Sequence, residues 1–269
     1  MTISPDESTQ AAKAGNAEGL PAVTVTGLYK AFGQTVAVDH VNLTVPRGSF
    51  FGLVGPNGAG KTTTLSMAVG LLRPDAGQVR LLGIDVWNDP VRAKSLVGVL
   101  PDGLSLPERL TGRELLTYMG QLRGLDAPTV AHRTGELLDV LELADAQTTL
   151  VVDYSAGMRK KIGLAAALLH APRVLVLDEP FEALDPVSAS TIRTILGRFV
   201  AGGGAVVLSS HAMTIVEQLC DHVAVIASGR VVAQGAVAEI SGGQSLEDAF
   251  VRLVGGHTGG GEGLSWLAF

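Results

Sequence analysis

One short stretch, Gly55-Pro56-Asn57-Gly58-Ala59-Gly60-Lys61-Thr62-Thr63, constrains this chain more than any other. It fits the pattern Gly-x4-Gly-Lys-Thr and stands between an apolar run, Phe50 to Val54, and a helix-forming segment, Thr62 to Val69. Glycines let the backbone curl so that successive N–H groups point inward. The helix that follows brings the positive end of its dipole to the same point. Such a loop holds phosphate. Lys61 is placed to reach the β and γ phosphates of a nucleoside triphosphate, and the Thr62 hydroxyl to ligate Mg²⁺. Gly55, Pro56, Asn57, Gly58, Ala59, Gly60, Lys61, Thr62 and Thr63 are therefore candidate nucleotide-binding residues. By itself the loop says nothing finer than nucleoside triphosphate.

A second constellation lies downstream. The apolar strand Val174 to Leu177 ends in Asp178-Glu179. Two carboxylates at the end of a buried strand are costly unless something there requires negative charge. Ligands sit at the carboxyl ends of parallel strands. Asp178 is the candidate to hold Mg²⁺ through water, and Glu179 the candidate general base that polarises the attacking water. Ala205 to Ser209 repeats this layout and ends in Ser210-His211. His211 there is a candidate contact for the γ-phosphate.

Around these motifs the texture alternates. Val23 and Val25, then Val41, Leu43 and Val45, alternate with polar residues, as half-buried antiparallel strands do. Leucines at helical spacing predict helices over Gly112 to Leu122 and Val130 to Leu143, forming a helical subdomain at about 101–154. A further helix is expected over Ser155 to Leu169. Strands then return at Val174 to Leu177, Ala205 to Ser209 and Val223 to Ile226, with helices between. This alternation argues for a doubly wound parallel sheet. The expected division is a disordered tail over 1–22, one ATPase domain over 23–254 and a loose tail over 255–269.

With these features in view the chain resembles the ATP-binding cassette (ABC) ATPases. Tyr154-Ser155-Ala156-Gly157-Met158, just ahead of the acidic strand, is similar to the ABC signature Leu-Ser-Gly-Gly-Gln. Phosphate loop, signature, acidic strand end, Ala183-Leu184-Asp185 (the D-loop) and His211 (the switch histidine) stand in the family's order. The resemblance covers about Val23 to Phe250. It implies a P-loop NTPase fold: a RecA-like parallel sheet core, a small antiparallel β subdomain and an inserted helical subdomain. It implies hydrolysis of ATP with Mg²⁺, at the cytoplasmic face of a membrane, by a peripheral subunit. Its partners would be a separate integral membrane permease and a second ABC ATPase, in a homodimer or heterodimer. Two ATP molecules would lie in that interface. Ser155 and Gly157 would then meet the γ-phosphate held by the other subunit, Phe32 would stack on adenine, and Asp185 would belong to the same interface. Ser155 also sits where a helix N-cap belongs, ahead of Arg159, Lys160 and Lys161.

The chain departs from the pattern in two places. Where the family has a glutamine that touches Mg²⁺ and the attacking water, after the second sheet strand, this chain has Asp102, which the resemblance makes a candidate contact for Mg²⁺ and nucleotide. Its charge, added beside Asp178 and Glu179, is expected to raise the site's need for Mg²⁺. The signature carries Tyr154, Ala156 and Met158 in place of Leu, Gly and Gln. Similar substitutions occur in ATPases of drug, antibiotic and polysaccharide exporters, as does an ending like Ser245 to Leu253. The loop from Asp102 to Arg113 would receive a membrane partner's coupling helix.

Composition narrows the alternatives. The formal net charge is −6 and the pI about 5.5, which opposes a nucleic-acid partner. A non-transport ABC ATPase with a regulatory, ribosomal or nucleic-acid role is the competing reading. Relatives of that class generally join two cassettes or carry a long coiled-coil insert, and neither is evident in this sequence. A degenerate, non-hydrolysing cassette is opposed by Glu179 and His211. Mean hydropathy is +0.33, yet the longest apolar run, Ile162 to Leu169, falls far short of the ~20 residues that span a bilayer. The one cysteine, Cys220, allows no internal disulfide. Cys220-Asp221-His222 is a poor zinc set. The N-terminus has no basic start or apolar core of the kind a signal peptide needs.

Overall fold

The computed structural model describes residues 19–103 and 105–255, so the tail readings for 1–18 and 256–269 lie outside the described residues. Two sheets form. The first is antiparallel, in the order β2-β1-β4-β5, from β1 (Val23–Phe32), β2 (Thr35–Val45), β4 (Ala76–Leu81) and β5 (Ile84–Asp85). Ala22, read as the last tail residue, belongs to this sheet. It is buried, donates its N–H to Val45 O and accepts Leu82 N–H at 3.0 Å.

The second sheet has the order β10-β9-β3-β8-β7-β6, built from β3 (Phe50–Val54), β6 (Val97–Leu100), β7 (Val174–Asp178), β8 (Ala205–Ser210), β9 (His222–Ala227) and β10 (Arg230–Ala236). Only the β9–β10 pairing is antiparallel. Its strands are continuous apolar runs because both faces are covered. Side chains alternate between two cores. Leu175, Leu177, Val206 and Leu208 pack on one side with Leu115, Leu116, Leu138 and Ile162. Val174, Val176, Val207, Phe51 and Leu53 pack on the other, with Val23, Val25, Leu65 and Met67. Each such leucine or isoleucine contributes about 1.5–3 kcal/mol by burial.

The helices are α1 (Lys61–Ala68), α2 (Pro90–Leu96), α3 (Gly112–Leu122), α4 (Ala127–Val140), α5 (Ala156–Leu168), α6 (Pro186–Ala201), α7 (Met213–Leu219), α8 (Val237–Ser241) and α9 (Leu246–Val254). Helix α3 starts at a capping box: Thr111 Oγ1 accepts Glu114 N–H and Glu114 Oε2 accepts Thr111 N–H, at 3.2 and 2.9 Å. Helix α4 begins three residues ahead of the Val130 expected from periodicity. Asp126 caps it through Thr129 N–H at 2.9 Å, and Pro128 fits its first turn. Helix α5 packs closely on β6, where a Cβ on Gly98 would lie 2.1 Å from Ala167 O. This contact ties the signature segment to the parallel sheet.

Candidate active site

Strand order brings the motifs together. Strands β3, β8 and β7 are neighbours, with Val54 opposite Ser210 and Asp178 opposite Ser209. Their carboxyl ends therefore present the phosphate loop, the acidic pair and His211 on one edge. A cavity of about 350 Å³ opens there, lined by Ala37, residues 57–63, Asp102, Asp178, Glu179, Glu182 and His211.

The loop is held by close backbone contacts. A Cβ on Gly55 would lie 2.3 Å from Ile226 O, and one on Gly60 2.4 Å from Ala37 O. Gly60 also has φ +100°, which side chains rarely adopt. Lys61, 8% exposed, folds back over the loop and donates Nζ–H to Gly55 O at 2.7 Å and Pro56 O at 3.2 Å. Gly60 offers α1 no side-chain cap. The first-turn N–H groups are thus left without an intrahelical acceptor beside the cavity, the usual makings of an anion site.

The acidic end is built from two strands. Asp178 is 5% exposed, and its Oδ1 accepts the Ser209 hydroxyl. Ser209 Oγ in turn accepts Glu179 N–H at 3.1 Å. Among the described residues Asp178 has no cationic side-chain partner. A buried carboxylate without a cation is expensive. This is the environment that a divalent ion fits, and Thr62 lines the same cavity. Glu179 takes φ +47°, a strained conformation for a non-glycine residue, costing about 1–3 kcal/mol. That turn aims its carboxylate at His211, with Oε1 3.0 Å from Nδ1.

A family model for the ABC transporter matches residues 38–182. Over 238 residues the chain is 40% identical to the daunorubicin/doxorubicin resistance ATP-binding protein DrrA of Streptomyces peucetius, covering 88% of this chain and 72% of that one. The chain belongs to the ABC transporter family. This ABC ATPase is also 40% identical over 215 residues to a Nod factor export ATP-binding protein I of Ralstonia nicotianae, covering 80% and 67% of the two chains. A solved structure titled as the ATP binding subunit of an ABC transporter superposes with TM-score 0.82 at 28% identity, covering 86% of this chain and 99% of that one. The chain is thus an ATP-binding, ATP-hydrolysing transport subunit. ATP-binding subunits of ABC exporters work with separate membrane components. Among the described residues no helix is long and apolar enough to cross a membrane.

Not every expected site residue of this ABC ATPase lines the cavity. Phe32 closes β1 at 52% exposure, with Lys30 Nζ 5.6 Å from its ring centroid, outside the cavity wall. Ser155, Gly157 and Asp185 stand apart from it as well. Ser155 caps α5, its Oγ accepting Met158 N–H at 3.2 Å. Asp185 caps α6, and the Ser188 hydroxyl and N–H that it accepts hold its carboxyl below the usual range. Asp102 is exposed at the cavity edge, 4.0 Å from Lys160 Nζ.

The three basic residues after the signature separate in space. Arg159 bonds Tyr154 O, Val152 O and Glu108, and Lys161 is buried against Glu142 at 3.1 Å. Only Lys160 turns toward the Asp102 edge. Sequence reasoning missed Ser209, Glu182 and Lys160. Only Ser209 carries a usable signal: it closes the apolar run that leads into Ser210-His211. Cys220 and Asp221 do structural work. Burial pushes the Cys220 thiol up to about 12, and Asp221 Oδ2 accepts Phe50 N–H at 2.9 Å.

Proposed function

We propose that this chain is one half of a dimeric ATPase that drives export through a separate membrane permease, from the membrane's cytoplasmic face. The observation that carries the proposal is the single cavity in which the phosphate loop, Asp178, Glu179 and His211 converge. The working unit is residues 22–254, the expected 23–254 extended by Ala22, with 101–154 as its helical part.

The loop N–H groups, from Asn57 through Thr63, bind the phosphates on the turn that Gly55 and Pro56 open, and Lys61 moves from its carbonyl contacts to the β and γ oxygens. Thr62 and Asp178, with Asp102 nearby, would hold Mg²⁺, which would supply charge neutralisation on the phosphate oxygens. The Ser209 hydroxyl fixes the Asp178 carboxylate in place and holds the Glu179 turn through its N–H. Glu179 accepts the proton of the attacking water. His211, within hydrogen-bond reach of Glu179 Oε1, orients that carboxylate toward the γ-phosphate. Phe32, exposed at the hairpin tip next to β2 and Ala37, stacks on adenine.

The exposed N-terminus of α5, with Ser155 and Gly157, is proposed to donate to the γ-phosphate of a second subunit, and Asp185 to stand in that interface. Export is supported by the drug-resistance and Nod factor export relatives and by the altered signature. Net charge −6 supports no nucleic-acid partner.

The test is Glu179→Gln. Loss of a general base lowers turnover about 10²–10⁴-fold while ATP binding survives. The variant, trapped with MgATP, is expected to dimerise and to retain a polytopic membrane protein in detergent. Recovery of ribosomal or other soluble partners alone would favour the non-transport reading.

A further inference from the structure

The amino ends of the core strands carry a second cavity of about 350 Å³, equal in volume to the one at the carboxyl ends. Its wall includes Arg47, Arg92 and Arg173, and its apolar floor is Leu82, Ile84 and Leu96. The topology explains why three arginines distant in sequence meet. Arg47 lies in the turn before β3, Arg92 on the helix that runs directly into β6, and Arg173 immediately before β7. Strands β3, β8, β7 and β6 are consecutive in the sheet, so these starting points form one edge. Backbone bonds fix that edge: Arg173 N–H donates to Leu96 O at 2.8 Å, and Arg173 O accepts Ala205 N–H at 3.1 Å.

The charge there is unbalanced. No aspartate or glutamate lines the cavity, in a chain with 26 acidic and 20 basic residues. Among the described residues none of the three guanidinium groups has an ion-pair or side-chain hydrogen-bond partner. All three are exposed to solvent. On the other side of Arg173 a further hollow of about 390 Å³ adds Arg198 and Phe199, again without an acidic wall residue. Three arginines with no lysine favour planar, forked acceptors such as phosphate oxygens over a single point charge. A cavity of this size with an apolar floor suits a ligand that joins such a group to an apolar body. The strands between the two cavities are about five residues long, or roughly 16 Å, so one ligand does not fill both.

We propose that this cavity is a second anion site, for a phosphate-bearing group attached to an apolar body, supplied either by a free phosphorylated compound or by an anionic lipid head group. Binding there would clamp α2, β6 and β7 together at their starts, behind the strands that end at Asp178 and precede Asp102.

The test uses the full chain with its nucleotide site filled by MgATP analogue that resists hydrolysis. Radiolabelled pyrophosphate is the soluble probe. Vesicles of phosphatidylcholine with and without phosphatidylglycerol are the lipid probe, read by flotation. The arginines are exposed, so Arg92→Gln/Arg173→Gln is expected to keep its melting temperature and its basal ATPase rate. One further pyrophosphate per chain, bound at least about tenfold more weakly by that variant, supports a soluble ligand. Flotation that requires phosphatidylglycerol and is lost in the variant supports the lipid source. Arg92→Lys/Arg173→Lys keeps the charge and removes the forks, so an intermediate loss is expected and intact binding would overturn the claim for forked recognition. The proposal fails if neither probe binds the parent, or if parent and Gln variant bind both probes alike.

Discussion

Asp102 Oδ1 lies 4.0 Å from Lys160 Nζ, which joins the end of β6 to the second turn of α5. The added negative charge at the glutamine position therefore has its own counter-ion, supplied by the helix that the signature opens. This changes what the sequence led us to expect of Asp102 and Mg²⁺. With Lys160 offsetting the charge, Asp102→Gln should shift the free Mg²⁺ needed for half-maximal ATPase only slightly. Lys160→Met should lower it, because the uncompensated Asp102 charge beside Asp178 and Glu179 then attracts the cation more strongly. Exposed pairs are worth about 0.2–1 kcal/mol, so the shift is roughly 1.4- to 5-fold. ATPase titrations with Mg²⁺ on the parent, both single variants and the double variant check this. Equal shifts in the parent and Asp102→Gln backgrounds would mean that the two side chains do not interact.

Ser209→Ala should damage stability and turnover together. The hydroxyl donates to Asp178 and accepts Glu179 N–H. Its loss leaves a partly buried N–H unpaired at a strained turn, at a cost of about 1–3 kcal/mol. Denaturant unfolding measures the first effect. A fall in kcat larger than the rise in KM would locate the second in the positioning of Glu179.

Tyr154 has a structural reason to stand where the family has leucine. It is 4% exposed, donates its hydroxyl to Ala146 O at 2.8 Å, and fills the space over Gly112, where a Cβ would lie 2.1 Å from Tyr154 Oη. Tyr154→Phe should cost about 0.5–1.5 kcal/mol for the lost bond. Gly112→Ala should cost about 1–3 kcal/mol by overpacking, and less in the Tyr154→Phe background. Chemical denaturation of the four proteins measures that coupling.

His170 should make the chain acid-sensitive. Burial, with the Arg123 charge nearby, lowers its pKa from 6.5 to about 4, and its Nδ1 is buried without a partner. Its Nε2 is 3.1 Å from Val97 O. The folded state holds the ring neutral to a lower pH than the unfolded chain does. Between pH 6.5 and about 4 the unfolded state binds the extra proton, so stability present above pH 6.5 is lost as pH falls through that window. The slope from one such proton is at most about 1.4 kcal/mol per pH unit. His170→Gln should flatten the dependence of unfolding free energy on pH in this range and leave the region above pH 7 parallel to the parent.

Much of the site was legible because its chemistry is local. The phosphate loop is one continuous stretch whose glycines, lysine and threonine mark it as a candidate nucleotide site, and Asp178, Glu179 and His211 are marked as candidates by the apolar strands that they follow. Periodicity placed α3 correctly and started α4 late, because the Asp126 cap and Pro128 precede its first buried residue, Val130. The short helix α2 and edge strand β10 gave no clear period. Phe32 was readable as an aromatic after a strand, while its exposure, which separates it from a core phenylalanine, was not.

What the sequence determined by itself was conformation and reactivity within short stretches. A glycine-rich turn before a helix binds phosphate, and apolar runs bounded by acids or serine become strands with chemistry at their ends, because backbone sterics and side-chain burial act over a few residues. What only the tertiary structure decided was which charges meet. The pairing of Asp102 with Lys160, the Ser209 hydroxyl on Asp178, and the convergence of Arg47, Arg92 and Arg173 all depend on the strand order β3-β8-β7-β6 and on α5 docking over Gly98. Hydrophobic period sets which face of a strand is buried, and it carries no information about which strand lies alongside.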